Sequence, residues 1–269
     1  MASNIRINSR VASTLQVGDV IAQSAYYGQS FVFTALDPAS LFANGEQGDD
    51  FWFWRDFCFT LSSGGVYEHV TTTGDQIARV TGTVNGVKLD QDVAEKRPVY
   101  GESGSIGWGE YDGVDDLIRA TGVYSAGFLT ASGVASLRYT GDTDHTKRLW
   151  ALGDGSNSGL CAAPAPDSSL RFNDGFQAWD QGVYVINDDI VQSVQMDDAF
   201  YSVRQDQTNV LMFDRGAQDQ RDNGISIGLN SDTHAPGRVY SAIYVQRYIN
   251  QEELTNVENL LALRAGVTL

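Results

Sequence analysis

The 269-residue chain is short of cationic side chains, cysteine and proline. It has 18 Lys and Arg against 34 Asp and Glu, a formal net charge of −16 at pH 7. Because clustered Lys and Arg are what bind phosphate backbones, this balance excludes nucleic acid as a partner. Two cysteines, Cys58 and Cys161, are too few for a disulfide framework, and we interpret both as buried thiols of a protein made in a reducing cytoplasm.

Long apolar runs are also missing. None approaches the roughly 20 residues that a helix needs to cross a bilayer, and the first residues lack the apolar centre of a signal peptide. We therefore expect no membrane insertion. A role outside a cell would need release by lysis or as part of a particle.

The residues that are abundant favour β-structure. The chain has 28 Gly against 5 Pro, with 12 Phe, 12 Tyr and 5 Trp, a composition typical of short strands joined by tight turns. Asn85-Gly86 is a hairpin dipeptide. The aromatic run 51–59 predicts one strand covered on both faces, with Trp52 and Trp54 on the same side. A Trp platform for sugar rings is the alternative interpretation of that pair.

Only the end of the chain predicts a helix. Residues 239–246 alternate as a strand, with Val239, Ser241, Ile243 and Val245 on one side. Asn250 then provides an N-cap with Glu253 three positions later, and apolar residues recur at helical spacing until Gly266 offers a left-handed stop. The residues thus predict an all-β fold with one C-terminal helix.

The start of the chain differs in charge from the remainder. Residues 1 to about 35 carry a net +1, which leaves −17 for the rest. We predict an N-terminal arm over residues 1–38 that docks to a neighbouring subunit or partner, and one body over residues 39–269. An ordinary first strand or two of the body is the alternative for the arm.

Four stretches in a fixed order resemble a group of tailed-bacteriophage virion proteins. They are Leu41-Phe42-Ala43-Asn44-Gly45-Glu46-Gln47-Gly48 before an aromatic strand, Lys96-Arg97-Pro98, Tyr111-Asp112-Gly113-Val114-Asp115-Asp116, and Ala242-Ile243-Tyr244 leading into Glu252-Glu253-Leu254 and Leu263-Arg264-Ala265-Gly266-Val267. The resemblance covers about residues 40–269. It implies a concanavalin A-like (laminin G-like) jelly-roll sandwich of two antiparallel sheets. The sequence departs from the family after Gly48 and at Val84-Asn85-Gly86.

The same resemblance implies a non-enzymatic structural protein on the virion surface, as a tail fibre, receptor-binding protein or head decoration. The arm would contact other virion proteins, and a homo-oligomer, a trimer above all, is expected. Host-surface carbohydrate is the candidate ligand. Its expected stacking residues are Trp108, Trp150, Trp179 and Tyr184. Nothing in the sequence separates this role from that of a capsid cement without a ligand.

Glu110 and Asp115 carry an enzymatic alternative. Residues 110–115 are one methylene short of the Glu-x-Asp-x-x-Glu run of retaining glucanases of the same fold, in which the first Glu is the nucleophile and the last the acid/base. An Asp in the last place shortens the reach, and near-attack geometry tolerates little displacement. We therefore expect no enzymatic activity and keep a glycoside hydrolase as the alternative.

Carboxylates at likely strand ends are the candidate metal ligands. Asp112, Asp115 and Asp116 are oxygen donors of the kind that calcium prefers, while Asp in turns also caps its own backbone. His69, His145 and His234 share no metal-ligand spacing, and the two Cys residues show none either. Calcium is thus the one candidate ion, and no other cofactor is expected.

Overall fold

The computed structural model describes residues 16–17, 20–21, 24–27, 30–34, 36–123, 130–141, 149–152, 161–164, 170–173, 178–181, 187–197, 200–214, 224–230 and 233–269. Its strands, in chain order, are β1 (Gln16–Val17), β2 (Val20–Ile21), β3 (Ser24–Tyr27), β4 (Ser30–Thr34), β5 (Gly48–Trp52), β6 (Cys58–Leu61), β7 (Tyr67–His69), β8 (Arg79–Thr81), β9 (Lys88–Asp90), β10 (Val99–Ser103), β11 (Ile106–Asp112), β12 (Ile118–Ala120), β13 (Ala131–Tyr139), β14 (Trp150–Leu152), β15 (Cys161–Pro164), β16 (Leu170–Asn173), β17 (Ala178–Gln181), β18 (Ile190–Met196), β19 (Phe200–Gln205), β20 (Thr208–Asp214), β21 (Ile225–Ile227), β22 (Leu229–Asn230), β23 (Thr233–His234) and β24 (Pro236–Val245). Two 3₁₀ turns, Pro38–Phe42 and Ala94–Lys96, and the helix α1 (Gln251–Ala265) complete the described elements.

Two antiparallel sheets form the body. The larger, of eight strands, runs β10-β11-β24-β13-β18-β19-β20, with β5 also paired to β24; the smaller, of seven, runs β14-β21-β12-β9-β8-β6-β7. One cluster of buried side chains from both sheets lies between them and includes Phe51, Leu89, Ile118, Trp150 and Val239. This is the predicted all-β jelly-roll sandwich with one C-terminal helix.

The aromatic run 51–59 is divided between the two sheets, so the prediction of one strand is wrong. β5 ends at Trp52, and the amide N–H groups of Phe57 and Cys58 both donate to the carbonyl of Trp54, which closes a turn. β6 then starts in the opposite sheet. A period-two pattern does not reveal such a turn, because the apolar side chains before the turn and after it pack into the same core. Burial raises the pKa of the Cys58 thiol, which is free.

β24 is the central strand of the larger sheet. It pairs with β13 along most of its length and with β11 and β5 on its other side. The predicted alternation is only partly correct: a register shift opposite Ser136 and Leu137 lets Val239 join Ala242 and Tyr244 in the core. Such an irregularity adds one residue to one strand, which moves later side chains to the other face.

Helix α1 covers half of the outer face of the larger sheet, the face turned away from the smaller sheet. Its predicted ends are confirmed: Asn250 and Glu253 form a capping box, and Gly266 takes a left-handed φ of 71°. Apolar residues of the helix and sheet form a second core, which includes Val134, Val191, Ile243, Leu254, Val257 and Leu261. Burial of this amphipathic stripe stabilises the helix more than its intrinsic propensity does.

A buried carboxylate joins β5 to the hairpin between β8 and β9. Both oxygens of Asp49 accept backbone N–H groups, from Val84 and Asn85 at 2.9 and 3.1 Å and from Val87 at 2.8 Å. The Asn85 side chain in turn donates to the carbonyl of Gly48 at 2.8 Å. The hairpin predicted at Asn85-Gly86 is therefore confirmed, and its amide groups are satisfied by a carboxylate from the other sheet.

The first four strands form two short antiparallel ladders, β1 with β2 and β3 with β4. Within the part of the chain that is described, neither ladder is hydrogen-bonded to the large sheets. The body starts no later than the turn Pro38–Phe42, which buries Leu41 and Phe42 against the α1 core. The arm boundary at residue 38 and its docking role stay predictions.

Candidate functional site

The half of the outer face that α1 leaves uncovered carries a row of polar side chains. Along β11, Gly109 and Tyr111 are buried on the core side, while Trp108 and Glu110 face outward. Glu110 lies opposite Arg238 on β24, and Arg238 lies opposite Arg138 on β13. Five residues on this outward side are called the outer-face row: Trp108, Glu110, Arg238, Arg138 and Asp189, which lies beside Arg138.

Glu110 is held in one position by two donors. Its Oε2 accepts from Trp108 Nε1 at 2.8 Å and from Arg238 Nε at 2.7 Å. The Arg238 guanidinium also lies 4.6 Å above the Trp108 ring, and the ring lies so close to Gly101 that a Cβ there would come within 2.4 Å of it. Charge-assisted donors on one oxygen hold the carboxylate in one orientation. Its side chain is 39% exposed, so the group is accessible.

The end of β11 brings three carboxylates together. Asp112, Asp115 and Asp116 each place an oxygen within 4.8 Å of the others. Asp112 Oδ1 accepts the N–H groups of Val114 and Asp115, and Asp116 Oδ2 accepts the N–H of Asp112 at 2.8 Å. Among the described residues, none donates a hydrogen bond to the Asp115 side chain, which is partly exposed. Asp115 is thus the available carboxyl of this acidic turn.

One proton stays in the acidic turn near neutral pH. Asp116 is only 5% exposed, and burial, together with the nearby Asp112 and Asp115 charges, raises its pKa to about 7. Like charges at this distance disfavour full ionisation of the group. Calcium would be an alternative way to neutralise the three carboxylates, and calcium at this turn stays a prediction of the sequence.

A cleft of about 440 Å³ lies at the other end of the outer-face row. It is lined by Arg138, Asp189, Asp188, Asp206 and residues 266–269, which follow α1. Arg138 Nε donates to Asp189 Oδ1 at 2.7 Å, and its Nη2 donates to the second oxygen of the same carboxylate. Tyr240 also donates to Asp189. Burial raises the pKa of Asp206, whose Oδ1 accepts the Val191 N–H.

The four predicted stacking residues do not form one site. Trp150 is fully buried and donates from Nε1 to Gln192 Oε1 at 2.8 Å in the core, so its assignment as a sugar-stacking residue is wrong. The sequence could not reveal this, because β14 is short and an aromatic side chain suits either face. Trp179 lies in β17 but its side chain is outside the described residues, as is Tyr184. Trp108 alone is placed on an accessible face.

Sequence reasoning missed Arg238, Arg138 and Asp206. The available signal was the single Arg in the alternating segment 238–245, since a charged residue inside a central strand needs a partner. The partner, Glu110, is 128 positions away, and no local pattern joins the two.

No family model and no curated protein match the chain. Solved structures do match it. A GH54 α-L-arabinofuranosidase soaked with a cyclic sulfate inhibitor aligns with a TM-score of 0.60 at 11% identity, over 85% of this chain and 66% of that one. An arabinofuranosidase complexed with arabinofuranosyl-α-1,2-xylobiose gives 0.61 at 10% identity, over 85% and 65%. Trypanosoma rangeli sialidase in complex with sialic acid gives 0.53 at 15% identity, over 80% and 37%.

These similarities correct the expected function. The solved structures named above are glycosidases, and this finding contradicts the expectations of a non-enzymatic virion protein and of no enzymatic activity. At 10 to 15% identity the likeness establishes the fold, and the chain spans less than two thirds of the length of these proteins. The likeness to phage proteins, the virion location, the trimer and the partner proteins stay predictions.

In the described ranges, no helix is long and apolar enough to cross a bilayer.

Proposed function

We propose that the protein is a glycoside hydrolase of the concanavalin A-like fold whose two carboxyl groups are Glu110 and Asp115. The observation that carries the proposal is the pair itself: Glu110 is oriented by two donors, and the Asp115 side chain, in the turn just after β11, accepts no hydrogen bond from the residues that the structure describes. Glycosidic bonds are cleaved by two such groups, one acting as base or nucleophile and the other as acid.

The two groups have different roles in this proposal. Glu110, fixed by Arg238 and Trp108, is the base that activates the attacking water. Asp115 is partly exposed beside the buried Asp116. Asp115 is the acid and gives its own proton to the leaving oxygen, while Glu110 takes a proton from the attacking water. Two carboxyl groups in unlike environments are the usual arrangement for acid and base in one site.

The test is hydrolysis of a panel of 4-nitrophenyl glycosides and neutral oligosaccharides by the wild type, Glu110→Gln and Asp115→Asn. We expect Glu110→Gln to lower kcat by about 10²–10⁴-fold. Glu102→Gln is the matched control, because Glu102 is also paired with an Arg but lies on neighbouring β10 outside the row. Its turnover should be unchanged. Absence of wild-type turnover across the panel, or full activity of Glu110→Gln, would overturn the proposal.

A further inference from the structure

The cleft beside residues 266–269 is lined by Arg138, which lies two strands away from Glu110 on the same sheet face. Glu110, Arg238 and Arg138 are directly opposed on three adjacent strands. Two strand spacings separate Glu110 from Arg138, about 10 Å, and Arg138 already lines the cleft. A ligand with one sugar ring at Glu110 would therefore reach the cleft with the next ring or two.

The cleft has the polarity that sugar hydroxyl groups require. Its described lining joins a bidentate Arg138–Asp189 pair to the Asp188 and Asp206 carboxylates and to the backbone after α1. Carboxylate oxygens accept hydrogen bonds from hydroxyl groups, and a guanidinium donates to them. Its volume of about 440 Å³ lies in the range of small-ligand sites.

The charges of the row disfavour an anionic sugar. A sugar carboxylate is bound best by a guanidinium with free donors. Here each guanidinium charge is already paired with a carboxylate, Arg238 through Nε with Glu110 and Arg138 through Nε and Nη2 with Asp189. Asp188, Asp189 and Asp206 add negative charge at the cleft itself, so an acidic sugar would meet repulsion there.

We infer that this cleft is a binding subsite for the distal units of a neutral oligosaccharide, and that sialic and uronic acids are excluded from it. The inference rests on the proposed hydrolase function for the position of the cleaved bond. It adds the substrate class and the direction in which the glycan extends, from β11 across β24 and β13 towards the C-terminal end of α1.

A variant that fills the cleft tests the subsite. Thr268 lines the cleft and is exposed, so Thr268→Trp should occupy the space without breaking the Arg138–Asp189 pair. We expect KM for neutral oligosaccharides to rise at least tenfold, with no change for a 4-nitrophenyl monosaccharide. Ser63→Trp is the matched control, because Ser63 is exposed in the turn after β6 of the smaller sheet. It should alter neither substrate.

Direct binding separates failure of the subsite from failure of the proposed function. Glu110→Gln, with and without Thr268→Trp, is titrated calorimetrically with neutral xylo- and arabino-oligosaccharides and with uronic-acid oligomers of equal length. Neutral binding that Thr268→Trp weakens at least tenfold supports the subsite, even if the wild type lacks turnover. Equal affinity for the acidic oligomers would overturn the neutral specificity. Turnover of aryl glycosides without any effect of Thr268→Trp on oligosaccharides would overturn the subsite alone.

Discussion

The outer face of the larger sheet has two halves, which are built from the same strands but carry different side chains. Under α1, β24 and β13 present Ile243 and Val134 to the helix. Beyond the helix, the same strands present Arg238 and Arg138 to solvent. Both halves contain arginine–carboxylate pairs, but the side chains of Arg264 and Asp50 under the helix are 6% and 0% exposed, against 31% and 39% for Arg238 and Glu110.

This difference in exposure changes how much an arginine–carboxylate pair matters for stability. Arg264 donates to both oxygens of Asp50 at 2.5 and 2.8 Å, and Thr83 donates to the same carboxylate at 2.7 Å. A buried ion cannot recover hydration when its partner is removed, so removal of one member of such a pair is strongly destabilising. An exposed pair adds little to stability, which leaves Glu110 and Arg238 free to serve a ligand.

The largest expected effect comes from breaking the buried pair. Arg264→Met leaves Asp50 buried without its cation, and we expect a loss of about 3–5 kcal/mol in the free energy of unfolding. Urea denaturation followed by circular dichroism measures it. The double variant Asp50→Asn with Arg264→Met removes the stranded charge and should recover part of the loss. If Arg264→Met alone lowers the free energy of unfolding by less than about 1 kcal/mol, the buried pair behaves like an exposed one and the predicted difference between the two halves is contradicted.

An intermediate effect is expected at the acidic turn. The pKa of Asp116 is raised to about 7 in the folded protein, against about 3.9 for an unperturbed Asp. Between these values the folded chain keeps a proton that the unfolded chain releases, so the contribution of Asp116 to stability falls as pH rises from about 4 to 7 and is level above that range. Asp116→Asn keeps an acceptor for the Asp112 N–H but has no such charge.

We therefore expect Asp116→Asn to gain about 2–4 kcal/mol relative to the wild type on going from pH 4 to pH 8. Thermal denaturation at both pH values measures the gain. Asp56→Asn, at an exposed position in the turn after β5, is the control and should show no pH-dependent difference. A variant that loses stability at pH 8 would contradict the burial of a proton in the turn.

The smallest effect on stability is expected in the outer-face row. Arg238→Met is the same substitution as the one under the helix, made on the same sheet face. We expect it to lower the free energy of unfolding by less than about 1 kcal/mol. Hydrolysis should fall about tenfold or more, because Glu110 loses a donor that orients it. Parallel urea and kinetic measurements check both parts, and a stability loss equal to that of Arg264→Met would show that the two halves do not differ.

Local chemistry was readable from the sequence wherever it depended on neighbours in the chain. Asn250, Glu253 and Gly266 set the ends of α1, because caps act over three or four residues. Asn85-Gly86 marked its hairpin, and the carboxylates of residues 110–116 were recognised as a group because they lie within seven positions. The abundance of glycine and aromatic residues indicated the all-β class for the same reason: turn and strand preferences are local.

Only the tertiary structure decided how distant residues combine. It divided the aromatic run between two sheets, buried Trp150, and brought Arg238 to Glu110, Arg264 to Asp50 and residues 266–269 to Arg138. None of these contacts produces a periodic pattern in the sequence, because the strand order of an antiparallel sandwich places segments side by side that are far apart in the chain. The ends of elements follow from local preferences, whereas the composition of a site depends on which strands become neighbours.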